Sequence, residues 1–166
     1  MQISCSSIDW LEAKRRHAAG TLQTDLINLK DDEEWIRDLD ARSDSGLQFS
    51  SAGNIYQALA PHLSEENRAH VDASLGLVFS NDLIDELRLN VDDCFLTLTP
   101  EKVAHVASEF QRVDYRQLAE LYDQHCPVDE REYMPTFEEF KEYIDQWQVA
   151  FSEAAAEGRG LFCFCN

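Results

Sequence analysis

Cys163 and Cys165 stand two residues apart near the end of the chain, and His125 with Cys126 makes a second adjacent donor pair. In a strand, side chains two apart share a face, so both thiols can reach one ion or both can enter a core. Zinc sites built from cysteine repeat a C-x2–4-C spacing with a second ligand pair behind it, and that pattern is missing. No C-x-x-C precedes a helix, so no thiol is set up as a low-pKa redox centre. The cysteines read as core, and neither metal nor cofactor is expected.

Other chemistry-bearing residues are scattered. "DLDARSDSGLQF" (38–49) superficially looks like a calcium loop, yet Arg42 takes its fifth position and Phe49 falls where a bidentate glutamate belongs. "FSSAGN" (49–54) lacks the first glycine of a nucleophile elbow. His17, His62, His70, His105 and His125 stand in no triad or H-E-x-x-H context, and six glycines make no phosphate-cradling loop. Carboxylate pairs abound among 32 acids, so no single pair marks acid–base chemistry. The sequence yields no catalytic residue.

One regional bias does emerge. Nine acids fall between Glu120 and Asp145, opposed only by Arg131 and Lys141. Tyrosines and a phenylalanine interleave with them. Glu120, Tyr122, Asp123, Asp129, Glu130, Glu132, Tyr133, Glu138 and Glu142 form the candidate partner-binding set, because charge steers an encounter and aromatics anchor it. The bland account is a solvated helix face beside an acidic loop. The whole chain, at 32 acids against 14 Lys and Arg, carries −18. Phosphate-backbone binding needs clustered cations, so nucleic acid is excluded and a basic protein is the expected partner. Solubility alone would also explain such a charge.

The elements that must position these residues follow from periodicity and caps. At 166 residues and 44% apolar composition, with no repeat or linker-like tract, residues 1–166 read as a single domain with its own core. "MQISC" suggests a strand over 2–5, with Ser7 capping a helix from Ile8 to Ala18 that turns Trp10 and Leu11 inward. The basic "KRRH" (14–17) sits where a last helical turn favours cations. Asp31 and Glu34 make a capping-box pattern before Trp35, Ile36 and Leu39. A helix over 52–59 stops at Pro61, Ser64 caps the next with Val71 and Leu75 inward, and 80–89 reads as a short amphipathic helix.

"DCFLTL" (93–98) alternates as a strand, and Thr99 then caps a helix with Pro100 in its first position. Asp114 opens another. From Thr136 to about Glu157 the aromatic spacing of Phe137, Phe140, Ile144, Trp147 and Phe151 marks the longest helix, ended by Gly158. Leu161 to Cys165 is a closing strand with apolar groups on both faces. The expected class is α+β, mostly helical, with strands near 2–5, 94–98 and 160–165 in a small sheet covered by helices.

The last seventy or so residues resemble the YfbM-like family, a group of small uncharacterised bacterial proteins. The resemblance rests on "FLTLTPEKVAHVASEF" (95–110), "DYRQLAELYD" (114–123), "YMP" (133–135) and the aromatic helix leading into "AAAEGRGLFCF" (154–164). Upstream, "YQALAPHL" (56–63) is similar to the family's Trp-x-x-Leu-x-x-x-Leu helix, with Tyr56 in the Trp place and Pro61 breaking its end. The resemblance implies an α+β domain and brings no catalytic residues.

The N-terminus lacks a basic segment followed by an apolar run, and "LGLVF" (75–79) is far too short to span a bilayer. With five cysteines and no secretory signal, the expectation is a cytoplasmic protein with reduced thiols and no membrane contact. The leading functional expectation is a non-catalytic acidic protein-binding domain, concretely an immunity-type inhibitor of a basic toxin or enzyme. The alternatives are a small enzyme or ligand-binding domain with a site assembled from scattered residues, and a purely structural subunit.

Overall fold

The computed structural model describes residues 3–27, 34–39, 49–79, 84–89, 96–126 and 135–165. Four strands form an antiparallel sheet: β1 (Ile3–Ile8), β2 (Ile36–Leu39), β3 (Leu96–Leu98) and β4 (Gly160–Cys165), in the order β2-β1-β4-β3. Helices α1 (Trp10–Ala18) and α2 (Leu22–Ile27) connect β1 to β2. Helices α3 (Phe49–Leu59), α4 (Glu65–Val71), α5 (Leu77–Phe79), α6 (Pro100–Phe110), α7 (Tyr115–His125) and α8 (Phe137–Ala156) supply most of the rest. The architecture is α+β, mostly helical, with a small sheet covered by helices.

Alternation along the strands builds two cores. Cys5, Leu39, Leu98, Leu161 and Cys163 pack with the large helical cluster that holds Phe110, Phe140, Ile144, Trp147 and Phe151. Ile8, Ile36 and Phe162 point the other way, onto Ala13, Leu22, Trp35, Leu87 and Leu89. Apolar groups on both faces are what a strand covered on both sides requires. Cys163 is 3% exposed and lies opposite Cys5 in the β1–β4 register, so the thiol is core as the alternation implied.

The long helix matches its sequence signature. Thr136 caps α8 in a reciprocal box, its Oγ1 accepting from Glu139 N at 3.2 Å while Thr136 N donates to Glu139 Oε2 at 2.7 Å. Phe140, Ile144, Trp147 and Phe151 are buried along one stripe, and Gly158 takes φ 65 just past the end. Gly160 then has no room for a side chain, because a Cβ there would lie 2.5 Å from the Trp10 ring. Arg159 locks the junction, donating to Trp35 O at 2.7 Å and to Ser7 Oγ at 3.2 Å.

Elsewhere the sequence expectations need correction. Ser7 does not cap α1: it stays in β1, paired to both Arg37 and Leu161, and Asp9 caps instead, accepting from Leu11 N and Glu12 N. That shift in register turns Ala13 and Trp10 toward the core and leaves Leu11 78% exposed. The stretch after Glu34 is not a helix but strand β2, because β1 offers an edge that pairs Leu39 with Cys5 and Ile36 with Ile8. Tertiary pairing overrides the local cap signal there; Asp31 lies outside the described residues.

In its described part, 84–89, the expected helix over 80–89 is replaced by contacts with a distant partner. Residues 80–83 lie outside the described set, while 84–89 run along β3, with Thr97 N donating to Ile84 O at 2.8 Å and Leu87 N donating to Thr97 Oγ1 at 3.0 Å. The chain turns there, with Arg88 N donating to Asp85 O at 3.1 Å and Arg88 at φ 51, and Leu87 and Leu89 are both buried.

The Ser64 cap holds, accepting from Asn67 N at 3.3 Å, with Val71 and Leu75 buried as expected. Between α4 and α5 the helix widens into a π turn over Asp72–Gly76. A Cβ at Gly76 would come 2.7 Å from the Tyr56 hydroxyl, which itself donates to Asp72, so a larger residue there would displace that contact.

Candidate functional site

The expected acidic-aromatic set is split by the fold. On α7, Glu120 is exposed and pairs with Arg116 one turn earlier at 3.1 Å, and Asp123 is also exposed. Tyr122 is a correction: it is 3% exposed, donates its hydroxyl to Pro135 O at 2.6 Å and packs 5.8 Å from the Phe137 ring. Its place in the Leu118–Leu121 apolar stripe takes it inside, so it ties α7 to the start of α8 rather than meeting a partner. Asp129, Glu130, Glu132 and Tyr133 lie outside the described residues. Glu138 and Glu142 are exposed on α8.

Glu142 opens onto a groove between α8 and the edge strand β2, with a volume of about 310 Å³. Its polar lining is Glu142, Asp145, Gln146 and Glu153, and its apolar lining is Leu39, Val149 and Ala150. Spacings of three and four along α8 put these positions on one flank, beside the buried stripe. Lys141 Nζ reaches both carboxylate oxygens of Asp145 at 2.7 Å and sits 4.9 Å over the Tyr115 ring. Glu142 and Glu153 form no ion pair among the described residues.

Two details set this groove apart. Val149 is 55% exposed and, with Leu11, one of two large apolar side chains left open among the described residues. Gln146 Oε1 is buried yet accepts no hydrogen bond. A buried acceptor without a donor is a cost to the fold. The sequence window ended at Asp145 and so missed Glu153. Leu39 joins the site only through the β1–β2 pairing.

A second polar cluster joins α4 to α6. His70 Nδ1 lies 2.6 Å from Glu109 Oε2, and Arg112 Nη1 reaches the other carboxylate oxygen at 3.3 Å. Glu109 is only 7% exposed. The hydrogen bond with His70 holds its carboxyl below the ordinary value, against burial, which pushes it up. Ser74 Oγ donates to the His70 carbonyl at 2.7 Å, so the serine serves the backbone and not the ring.

His62 and His125 stack face to face, with centroids 3.5 Å apart and planes 4° from parallel. Parallel rings aim their lone pairs along separate planes and do not converge on one ion. No group of three metal-ligating side chains is placed to hold a metal among the described residues, and none of their helices is long and apolar enough to cross a membrane. Compared with known proteins, the chain is matched by no family model, no curated protein and no solved structure.

Proposed function

We propose that the chain is a non-catalytic acidic protein-binding domain, an immunity-type inhibitor that occupies a basic toxin or enzyme in the cytoplasm, and that it is kin to the YfbM-like group. The observation that carries the reading is the α8 groove, where carboxylates flank an exposed valine. Such an arrangement pairs long-range steering of a cation with a local apolar contact, the two parts a specific encounter needs. The net charge of −18 extends that field over the molecule.

The test is co-elution of the purified chain with the basic product of a neighbouring gene on size exclusion at low salt. A stable complex is the expected result; separate elution at low salt would remove the support. A second reading, a small enzyme or ligand-binding domain, draws on His70, whose ring a buried carboxylate orients. It expects His70→Asn to abolish a ligand response that the groove variants leave intact.

A further inference from the structure

We propose that Cys5 and Cys163 are a cross-strand redox pair, which a small-molecule disulfide oxidant such as glutathione disulfide converts into a covalent bond between β1 and β4. Both are thiols, 0% and 3% exposed, and they stand directly opposite in the β1–β4 register. Both also pack in the large helical cluster, on one face of the sheet. Rungs of an antiparallel ladder alternate between hydrogen-bonded pairs and closer, non-hydrogen-bonded ones, so the type of this rung decides whether the sulfurs can meet.

The hydrogen bonds on either side of the pair fix its rung type. Asp9 N donates to Trp35 O at 2.6 Å, one rung beyond Ile8 and Ile36. By alternation Ser7 with Arg37 and Cys5 with Leu39 are hydrogen-bonded rungs too, and the Cys5 backbone groups face β2. On the far side, Thr97 N donates to Ile84 O and Thr97 O accepts from Glu86 N, so Thr97 turns its backbone away from β4. Its neighbours Leu96 and Leu98 then face β4, which turns the backbone groups of their partners Cys163 and Leu161 toward β3. Cys5 and Cys163 thus aim their peptide groups away from each other, and their rung is the non-hydrogen-bonded kind. In such a rung the Cα atoms lie about 4.5 Å apart, inside the roughly 4.4–6.8 Å that a disulfide spans. Among the described residues no other cysteine has a cysteine opposite: Cys165 pairs with Ile3, and Cys126 ends α7 outside the sheet.

The chemistry is two exchanges. One cysteine, as thiolate, attacks a sulfur of the oxidant RSSR, forming a mixed disulfide and expelling RS⁻. The other cysteine, as thiolate, attacks the protein sulfur of that mixed disulfide and expels the second RS⁻. Two electrons pass to the oxidant, the two thiol protons end on two RSH, and one S–S bond remains. Cys5 is the third residue of β1 and Cys163 the third from the end of β4, so opening of the end rungs, short of global unfolding, admits the oxidant. The bond would close a loop of nearly the whole chain and so restrict the unfolded state. In a reducing compartment it would form only under oxidative load, as a switch and not a permanent staple.

The experiment incubates the reduced full chain with glutathione disulfide at mildly alkaline pH, then alkylates the remaining thiols and maps linked peptides by mass spectrometry. Wild type should keep three of its five thiols and yield a linked pair of peptides containing Cys5 and Cys163. It should also unfold about 5–15 °C higher, a gain that a dithiol reductant reverses. Cys126→Ala should behave as wild type, whereas Cys5→Ala should show neither the link nor the gain. The peptide map is made on wild type, so the test stands even if Cys5→Ala does not fold. Four results overturn the proposal: all five thiols retained where a urea-unfolded sample oxidises, a mixed disulfide that persists at either cysteine, a dominant link between other cysteines, or a Cys5–Cys163 link that lowers the unfolding temperature. None of them bears on the acidic-binding reading.

Discussion

Glu109 is the buried charge with the most at stake among the described residues. Its carboxyl sits below the ordinary value of 4.5 in the folded chain, chiefly because His70 hydrogen-bonds the ionised form. A depressed carboxyl contributes stability above its unfolded value and loses it as pH falls through its folded value. Glu109→Gln should therefore cost about 1–3 kcal/mol at pH 7, since a hydrogen bond to a charged group is removed. The deficit should shrink as the pH drops below 4.5, and urea titrations at neutral and acidic pH check it. A deficit independent of pH would refute the linkage. Tyr122→Phe should cost about 0.5–1.5 kcal/mol through the lost bond to Pro135 O, and Cys163→Ala about 0.5–3 kcal/mol through lost packing, both with partner binding unchanged. Loss of binding at unchanged stability in either variant would contradict their core placement. The alternation of "LFCFC" made Cys163 legible as core. Leu11 was misread because its facing depends on whether Ser7 or Asp9 caps the helix, a choice settled by how far β1 runs.

Elements whose signals are local were legible. The α8 stripe, its Thr136 box and its closing Gly158 all lie within the helix or beside it, and Thr99 and Asp114 cap α6 and α7 as their positions suggested. Removing the Thr136 hydroxyl tests how much such a cap matters. Thr136→Ala should lower stability by about 1 kcal/mol, read as a drop in unfolding temperature, and no change would mean α8 is held by packing alone. Elements defined by a distant partner were not legible. β2 exists because β1 offers it a ladder to pair with, and 84–89 form a turn beside β3 because Thr97 supplies backbone and hydroxyl partners there. In both places a helical pattern in the sequence competed with a distant partner it could not reveal. Helix α2 carried no cap or stripe strong enough to announce it.

At the scale of the molecule, the α+β class and the two-sided burial of the closing strand were readable, because composition and alternation average over many residues. The groove was not, since it needs Leu39 from the edge strand and Val149 from the long helix in one place. Sequence acidity singled out Glu138 and Glu142, which are exposed on α8, but also Tyr122, which the fold withdraws. The charge of −18 remains the property that a partner meets first. It follows that affinity should depend on ionic strength far more than a contact of apolar surfaces would. The decisive measurement is a calorimetric titration of the chain with its basic partner at two salt concentrations. Raising salt from about 50 to 500 mM shortens the screening length and should weaken binding by at least about tenfold. An affinity that stays the same across that range would contradict an acidic binding domain.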